Sequence, residues 1–140
     1  HMRAGLNLFK YSQKEYHVEL FEGRDENGVP FENKSISITA LDCIIGKTNY
    51  FGYSWKVAPL AVADDGYIDI TFFKITPIQV LFSAPLIYLG KPQKRLKHFK
   101  AKKAVFCGAD LHVQYHGEYL GIKNKITLTI MPRALTVITP

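Results

Sequence analysis

Apolar and polar residues alternate with a period of two along much of the chain, and this pattern is typical of half-buried β-strands. The segments predicted as strands are 16–21, 35–45 ending at Gly46, 67–73, 104–107, 111–115 and 125–130, with a closing strand over 134–138. The run Arg24–Gly28 lies between the first two and predicts a hairpin turn, because Asn-Gly readily takes positive φ.

One segment departs from this period and predicts a helix. Thr76 is a candidate N-cap and Pro77 suits the first helical position. Apolar residues between 80 and 88 then fall on one side of a helix, and Gly90 is suited to end it. Pro85 predicts a kink or a short helix. Turn signals at short spacing favour a sandwich, so the sequence predicts a mainly β fold, a β-sandwich with one crossing helix.

The length and composition predict one folded domain. The chain has 140 residues, of which 47% are hydrophobic and 21% are charged, as in ordinary globular proteins. We expect residues 1–2 to be a cloning scar and residues 3–140 to form a single domain. Cys43 and Cys107 lie in apolar runs and are expected to be free thiols in a reducing compartment. No signal peptide or membrane-spanning run is visible, so a cytoplasmic location is expected.

The positive charge is concentrated in one stretch. The net charge is +6, and residues 91–103 contain seven cations and no anion, which leaves −1 for the rest of the chain. The seven cations are Lys91, Lys94, Arg95, Lys97, Lys100, Lys102 and Lys103. Such a stretch suits contact with phosphate, an anionic membrane or nucleic acid. A solvated strand face with outward lysines fits equally well.

Few motifs in the chain carry chemistry. The two glycine-rich motifs that bind nucleotide phosphates, G-x-x-x-x-G-K-[ST] and G-x-G-x-x-G, do not occur in the sequence. The chain is therefore not expected to bind a nucleotide alone. His112 and His116 match only half of a zinc site, and two strand histidines are the better interpretation. In the turn Asp64-Asp65-Gly66, a carboxylate and nearby backbone carbonyls are able to point inward together, which suits a hard cation such as Mg²⁺. Read alone, this turn is more typical of a solvated surface loop.

A second carboxylate lies in Tyr115-His116-Gly117-Glu118-Tyr119, between two predicted strands. Glu118 is expected at or just past the tip of a hairpin, where a carboxylate is able to act as a general base on a substrate hydroxyl. His116 beside it titrates near neutrality when unperturbed. Read alone, this motif too is more typical of a plain turn.

The motifs, taken together in their order along the chain, are more specific than any one of them alone. Ala-Pro-x-Ala-x-x-Asp-Asp-Gly-x-x-Asp at 58–69 is followed by an apolar helix and a basic strand, then by Gly-Glu at 117–118 and Pro-x-Ala-Leu-x-Val-x-x-Pro at 132–140. From about Ser35 to Pro140, this set resembles the C-terminal domain of the diacylglycerol kinase-like lipid kinases. That family includes bacterial diacylglycerol and phosphatidylglycerol kinases and the sphingosine and ceramide kinases.

The resemblance implies a fold and a set of site residues. In the family this domain is a β-sandwich behind an N-terminal α/β domain, whose Gly-Gly-Asp-Gly-Thr loop binds most of the ATP. The resemblance implies Mg²⁺ at Asp65, with backbone oxygens of Val62 and Tyr67 as further ligands. It also implies that Glu118 is the catalytic base on the lipid hydroxyl. His116 stands where the family usually has Asp, and Gly52-Tyr53-Ser54 replaces the usual run of glycines.

The resemblance therefore predicts part of a lipid kinase that transfers the γ-phosphoryl group of ATP to the hydroxyl of a diacylglycerol-like lipid. The fragment alone is expected to be inactive. The alternative is a non-catalytic β-sandwich that binds lipid or protein and has kept the fold without the activity. The expected partners are a lipid substrate and a membrane surface that the protein meets peripherally. No nucleic-acid partner is expected, and homodimer formation is left open.

Overall fold

Six strands and one helix occur in the part of the chain that the structure, a computed structural model, describes: residues 12–50, 56–89, 95–115 and 117–132. In chain order they are β1 (Lys14–Arg24), β2 (Pro30–Ala40), β3 (Asp42–Gly46), β4 (Ile68–Phe73), α1 (Pro77–Tyr88), β5 (Leu96–Tyr115) and β6 (Glu118–Thr129). No helix within these ranges is long and apolar enough to cross a bilayer.

The strands form one antiparallel sheet in the order β2-β1-β5-β4-β3, and β6 pairs with β5. Because β1 occupies one edge of β5, β4 and β6 follow each other along the opposite edge. Strands β2 and β3 lie at the two ends of this order, yet only Leu41 separates them in the chain. The sheet must therefore curl back on itself, which gives the predicted mainly β, sandwich-like architecture.

The boundaries of several predicted strands were wrong; the predicted strand 125–130, for example, covers only the second half of β6, which begins at Glu118. The segment 35–45 is two strands, because the chain leaves the edge of β1 at Leu41, and the Leu41 N–H donates to the carbonyl of Phe73, the last residue of β4. The segments 104–107 and 111–115 belong to the single strand β5, whose pairing with β6 shifts register between Cys107 and Leu111. Residues before this shift form the basic half of β5.

The predicted helix is confirmed over α1. Its first turn is a capping box, in which the Gln79 N–H donates to the Thr76 hydroxyl and the Thr76 N–H donates to the Gln79 side chain. Pro85 lies within the helix. The expected end at Gly90 and the closing strand 134–138 lie outside the described residues.

The main core is built around Phe72 of β4, whose ring centroid lies 5.8, 6.1 and 6.3 Å from those of Tyr16, Phe99 and Phe106. All six residues of β4 are buried. Because successive side chains of a strand point to opposite faces, the face of β4 that carries Asp69 is turned away from Phe72. One carboxylate is thereby placed inside the molecule. Cys43 and Cys107 are free, half-buried thiols.

Candidate functional site

The turn that precedes β4 gathers oxygen atoms around one point. Gly66 has a φ of 76°, which lets the chain reverse so that the N–H of Tyr67 donates to Asp65 Oδ1 at 3.1 Å. The carbonyls of Val62 and Tyr67 and the Oδ1 of Asp65 all accept hydrogen bonds from the Nζ of Lys47. The structure therefore brings together the three oxygens that the resemblance implied as metal ligands.

A second lysine and a buried carboxylate lie directly beneath this turn. The Nζ of Lys100 donates to Asp65 Oδ2 and lies 3.3 Å from Asp69 Oδ1. The Nζ of Lys47 is 3.5 Å from Asp69 Oδ2. Asp69 has no exposed side-chain surface, whereas Lys47 and Lys100 are 28% and 16% exposed. Two cations and two anions thus form a compact, partly buried cluster.

The register of three strands places this cluster. Gly46 at the end of β3 is paired with Asp69 of β4, and Asp69 is paired with Lys100 of β5. Lys47 therefore leaves β3 level with the buried carboxylate and opposite the turn that leads into β4. His98 lies one row of side chains further on, where its Nε2 is 3.1 Å from Asp69 Oδ1 and its Nδ1 is 3.1 Å from the Thr71 hydroxyl.

The electrostatics of the cluster favour the ionised forms. Burial raises the pKa of Asp65, but the hydrogen bonds from Lys100, Lys47 and the Tyr67 N–H outweigh it, and the pKa falls to about 2. Burial lowers the pKa of Lys100, but the hydrogen bond to Asp65 and the charge of Asp69 outweigh it, and the pKa is raised above its usual value. Both partners therefore stay charged at neutral pH.

These residues do not fit a metal ion and Lys47 at the same time. A carboxylate and two carbonyls suit Mg²⁺ or Ca²⁺ chemically, but the ammonium of Lys47 occupies the position at which the three oxygens meet. Among the described residues, no group of three or more His, Cys, Asp or Glu side chains is arranged to hold a metal.

Glu118 is not among the residues of this cluster. It is the first residue of β6 and pairs with Tyr115, so it stands at the tip of the β5–β6 hairpin as the sequence predicts. Lys100 and Tyr115 are fifteen residues apart along β5, which corresponds to at most roughly 50 Å at about 3.3 Å per residue. Glu118 is exposed, and its role as base stays a prediction. His116 lies outside the described residues.

Three of the five cations of the basic stretch that the structure describes lie against anions. Lys97 lies 2.7 Å from Glu26, Lys102 lies 2.6 Å from Glu22, and Lys100 belongs to the cluster around Asp65. Lys91 and Lys94 lie outside the described residues. This half of β5 therefore does not present an uninterrupted row of free positive charges.

Helix α1, just before that stretch, carries an exposed apolar stripe. Ile78, Phe82 and Leu86 repeat every four residues and so share one face of the helix. They are 57%, 75% and 42% exposed, and Leu89 continues the stripe beyond the helix. An exposed apolar stripe of this kind is typical of a surface that meets another apolar surface.

Comparison with known families decides the affiliation of the chain. The family model described as YegS C-terminal NAD kinase beta sandwich-like domain matches residues 3–139. The chain belongs to this family. The predicted resemblance to lipid kinases of the diacylglycerol kinase type and the predicted β-sandwich are thereby confirmed. No curated protein matches the chain.

Sequence reasoning within this YegS-type domain found one half of the cluster and missed the other. Asp65, Val62 and Tyr67 were predicted to share a site, whereas Lys47, Asp69, His98 and Lys100 were not assigned to it. One signal was present in the sequence: Asp69 is a lone carboxylate in a strand of otherwise apolar or β-branched residues. A charge at such a position needs a partner, because an unpaired buried carboxylate is very unfavourable.

Proposed function

We propose that the chain is the C-terminal part of a lipid kinase that transfers the γ-phosphoryl group of ATP to the hydroxyl of a diacylglycerol-like lipid. Membership of the YegS family supports the reaction class. The position of Glu118 supports the assignment of the base, because an exposed carboxylate at a hairpin tip is accessible to a large substrate. In this proposal, an N-terminal domain of a longer protein holds most of the ATP.

The proposed reaction requires one proton acceptor from this chain. A carboxylate oxygen of Glu118 takes the proton of the lipid hydroxyl while the hydroxyl oxygen bonds to the γ-phosphorus. The bond between that phosphorus and the bridging oxygen breaks, and ADP leaves. Phosphoryl transfer depends on positioning and charge stabilisation more than on covalent chemistry. No step passes through a metal at the Asp65 turn.

The positive φ of 87° at Gly117 supports the role of Glu118. Glycine takes this conformation without steric penalty. Only residues 116 and 117 separate β5 from β6, so Glu118 is held on paired strand rather than on a long loop. A base carried by regular structure is positioned more reproducibly than one on a loop.

The test is Glu118→Gln in the full-length enzyme, with Glu32→Gln as the matched control. Glutamine keeps the size of the side chain but accepts no proton, so turnover on the best lipid substrate should fall by about 100-fold or more while folding is unchanged. Glu32 is an exposed glutamate on β2, which β1 and β5 separate from β6 in the sheet, and its variant should retain full turnover. Near-normal turnover of Glu118→Gln would favour the non-catalytic binding module instead.

His116 offers a second test of the same site. The resemblance implies aspartate at this position, beside the base. In the full-length enzyme, His116→Asp should therefore raise turnover or leave it unchanged. A clear loss of turnover would mean that the surroundings of Glu118 differ from those in the family.

We further propose that α1 is the surface that meets the membrane in which the lipid lies. Its stripe of Ile78, Phe82 and Leu86 offers apolar area, whereas Lys97 and Lys102 are already paired with glutamates. Apolar insertion at an interface depends little on salt, and lysine contacts to anionic lipid depend on it strongly. Binding to vesicles should therefore persist in high salt.

The measurement is co-sedimentation of the protein with vesicles at low and high salt. Phe82→Ser should abolish most of the binding, because Phe82 has the most exposed apolar side chain of the stripe. Val29→Ser is the matched control, since Val29 is 55% exposed in the β1–β2 turn. Equal losses from the two variants would remove α1 as the membrane surface, and binding that disappears in high salt would assign it to the cations.

A further inference from the structure

The Nζ of Lys47 is surrounded by oxygens as a bound cation would be. It donates to the carbonyl of Val62 at 2.6 Å, to Asp65 Oδ1 at 2.7 Å and to the carbonyl of Tyr67. An ammonium group has three N–H donors and no acceptor. The three donors therefore match in number the three oxygens that accept from them, and Asp69 Oδ2, at 3.5 Å, is a more distant counter-charge.

The same oxygens form the kind of donor set that hard cations prefer, one carboxylate and two backbone carbonyls. Only one positively charged group is able to occupy the point at which they meet. The side chain of Lys47 reaches that point from the end of β3, whose last residue, Gly46, is paired with Asp69. Its approach is therefore set by strand register rather than by chance placement of a surface lysine.

The charge balance of the cluster also favours the ammonium of Lys47 over a divalent ion at this position. Lys47 and Lys100 carry two positive charges, and Asp65 and Asp69 carry two negative charges. The four side chains are together neutral. A divalent ion would add two positive charges to a partly buried group that is already balanced, and the repulsion between like charges is strong away from bulk water.

We propose that the ammonium of Lys47 is a tethered cation that takes the place of a metal ion at the Val62–Tyr67 turn. The turn is then closed without metal, and the residues implied as metal ligands are ligands of a lysine instead. Removal of that ammonium leaves three oxygens directed at one point beside Asp69. A divalent cation should be able to enter the vacated position.

The experiment compares the purified protein with Lys47→Met in thermal unfolding, first in EDTA and then with Mg²⁺ or Ca²⁺ up to about 10 mM at constant ionic strength. Methionine keeps most of the length of lysine and removes the charge. The melting temperature of the unchanged protein should not respond to either ion. The variant should melt roughly 5 °C lower in EDTA and should regain at least half of that loss with the ion.

Lys34→Met is the matched control. Lys34 also binds an aspartate in a glycine-containing turn, at 2.9 Å from Asp25 Oδ2, but no carbonyl of that turn accepts a bond from it among the described contacts. Its variant should show no recovery with either ion. If Lys47→Met folds only when the ion is present, that dependence is the same positive result.

Three outcomes would overturn the proposal: an ion that stabilises the unchanged protein through this turn, a variant that melts normally in EDTA, and a variant that no ion restores. A second measurement needs no variant. In ¹⁵N NMR of the unchanged protein, the ammonium of Lys47 should give a signal protected from exchange that does not move on addition of Mg²⁺. A shift or loss of that signal on addition of Mg²⁺ would show that the metal ion, and not the ammonium of Lys47, occupies the site.

Discussion

Two turns of this molecule, at Asp25 and at Asp65, have the same local hydrogen bonds but differ in the ionic contacts they make with the rest of the structure. In each, an aspartate accepts a hydrogen bond from the N–H two residues later, at 3.0 Å for Asp25 and 3.1 Å for Asp65. Each turn contains a glycine with positive φ, Gly28 at 79° and Gly66 at 76°. A lysine binds the carboxylate in both. Sequence alone gives little reason to treat them differently.

What differs is the structure beneath each turn. The Asp25 turn joins the hairpin of β1 and β2, and its lysine, Lys34, donates to the carboxylate and, among the described contacts, to no backbone carbonyl. The Asp65 turn leads into β4, the strand buried along its whole length, and rests on the buried carboxylate of Asp69. An aspartate turn becomes a multi-residue ionic cluster when the next strand enters the core and its neighbours supply cations. The variants below separate these contributions.

The largest effect is expected from Gly23→Ala, because Gly23 lies two residues before Asp25 yet packs against β5, the strand that carries Lys100 of the Asp65 cluster. A Cβ at Gly23 would lie 1.9 Å from the carbonyl oxygen of Lys100, a backbone atom in a strand that is paired on both edges at this residue. The free energy of unfolding should fall by about 3 kcal/mol or more. Gly28→Ala is the control, since its Cβ meets nothing within 4 Å and only the positive φ penalises it, by about 1–2 kcal/mol. Urea unfolding measures both, and equal losses would contradict the packing argument.

The second-largest loss of stability is expected from Asp69→Asn, which removes the buried carboxylate on which the Asp65 turn rests. Lys47 and Lys100 would keep only Asp65 as a counter-charge, in a partly buried position. The free energy of unfolding should fall by about 3 kcal/mol, as when one partner of a buried ion pair is removed. Asp25→Asn, the same change at the hairpin turn, should have a much smaller effect. A neutral or stabilising Asp69→Asn would mean that the buried charge is not needed to hold the cluster.

The fold was more predictable than the site, and the reason is the range of the interactions. The period-two pattern and the cap at Thr76 are local, so they identified β1 and α1 correctly. The strand break at Leu41 depends on which neighbour the chain pairs with next, and no local pattern encodes it. The continuous β5 was missed because residues 108–110, where its pairing with β6 shifts register, interrupt the alternating pattern as a turn would.

The site divides in the same way. The oxygens of Val62, Asp65 and Tyr67 lie within six residues and were predicted together on the strength of a family resemblance. Lys47 directly follows β3 and Lys100 lies on β5, both distant in sequence from Asp65, and only the pairing of β3, β4 and β5 brings them to it. The basic stretch was treated as a surface feature for the same reason. The partners of Lys97, Lys100 and Lys102 all lie more than thirty residues away in the chain.

Acid should distinguish the two aspartates. The pKa of Asp65 is lowered to about 2 in the folded protein, against 3.8 ordinarily, so its stabilisation is complete above about pH 4 and is lost as the pH falls towards 2. After allowance for solvent screening, this loss should amount to about 1–2 kcal/mol. Asp65→Asn should flatten the dependence of stability on pH in that window. Asp25→Asn should flatten it less, although Lys34 also lowers the pKa of Asp25. Identical pH profiles for the two variants would show that the cluster adds nothing to the turn.

The smallest effect is expected from Lys34→Met, and salt should remove it. The Lys34 side chain is 35% exposed where it meets Asp25, and its Nζ also lies 5.8 Å from the centroid of the Phe31 ring. Exposed ion pairs contribute little and are screened by salt, while methionine retains an apolar contact with the ring. The melting temperature should fall by a few degrees at most at low salt, and by nothing measurable in about 0.5 M NaCl. The loss caused by Lys47→Met should persist in the same salt, because its oxygen partners are carbonyls and a carboxylate held in a partly buried turn. If salt removed the falls in melting temperature of both variants equally, Lys34 and Lys47 would stabilise the protein in the same way. The cluster at Asp65 would then be no more than a second surface ion pair.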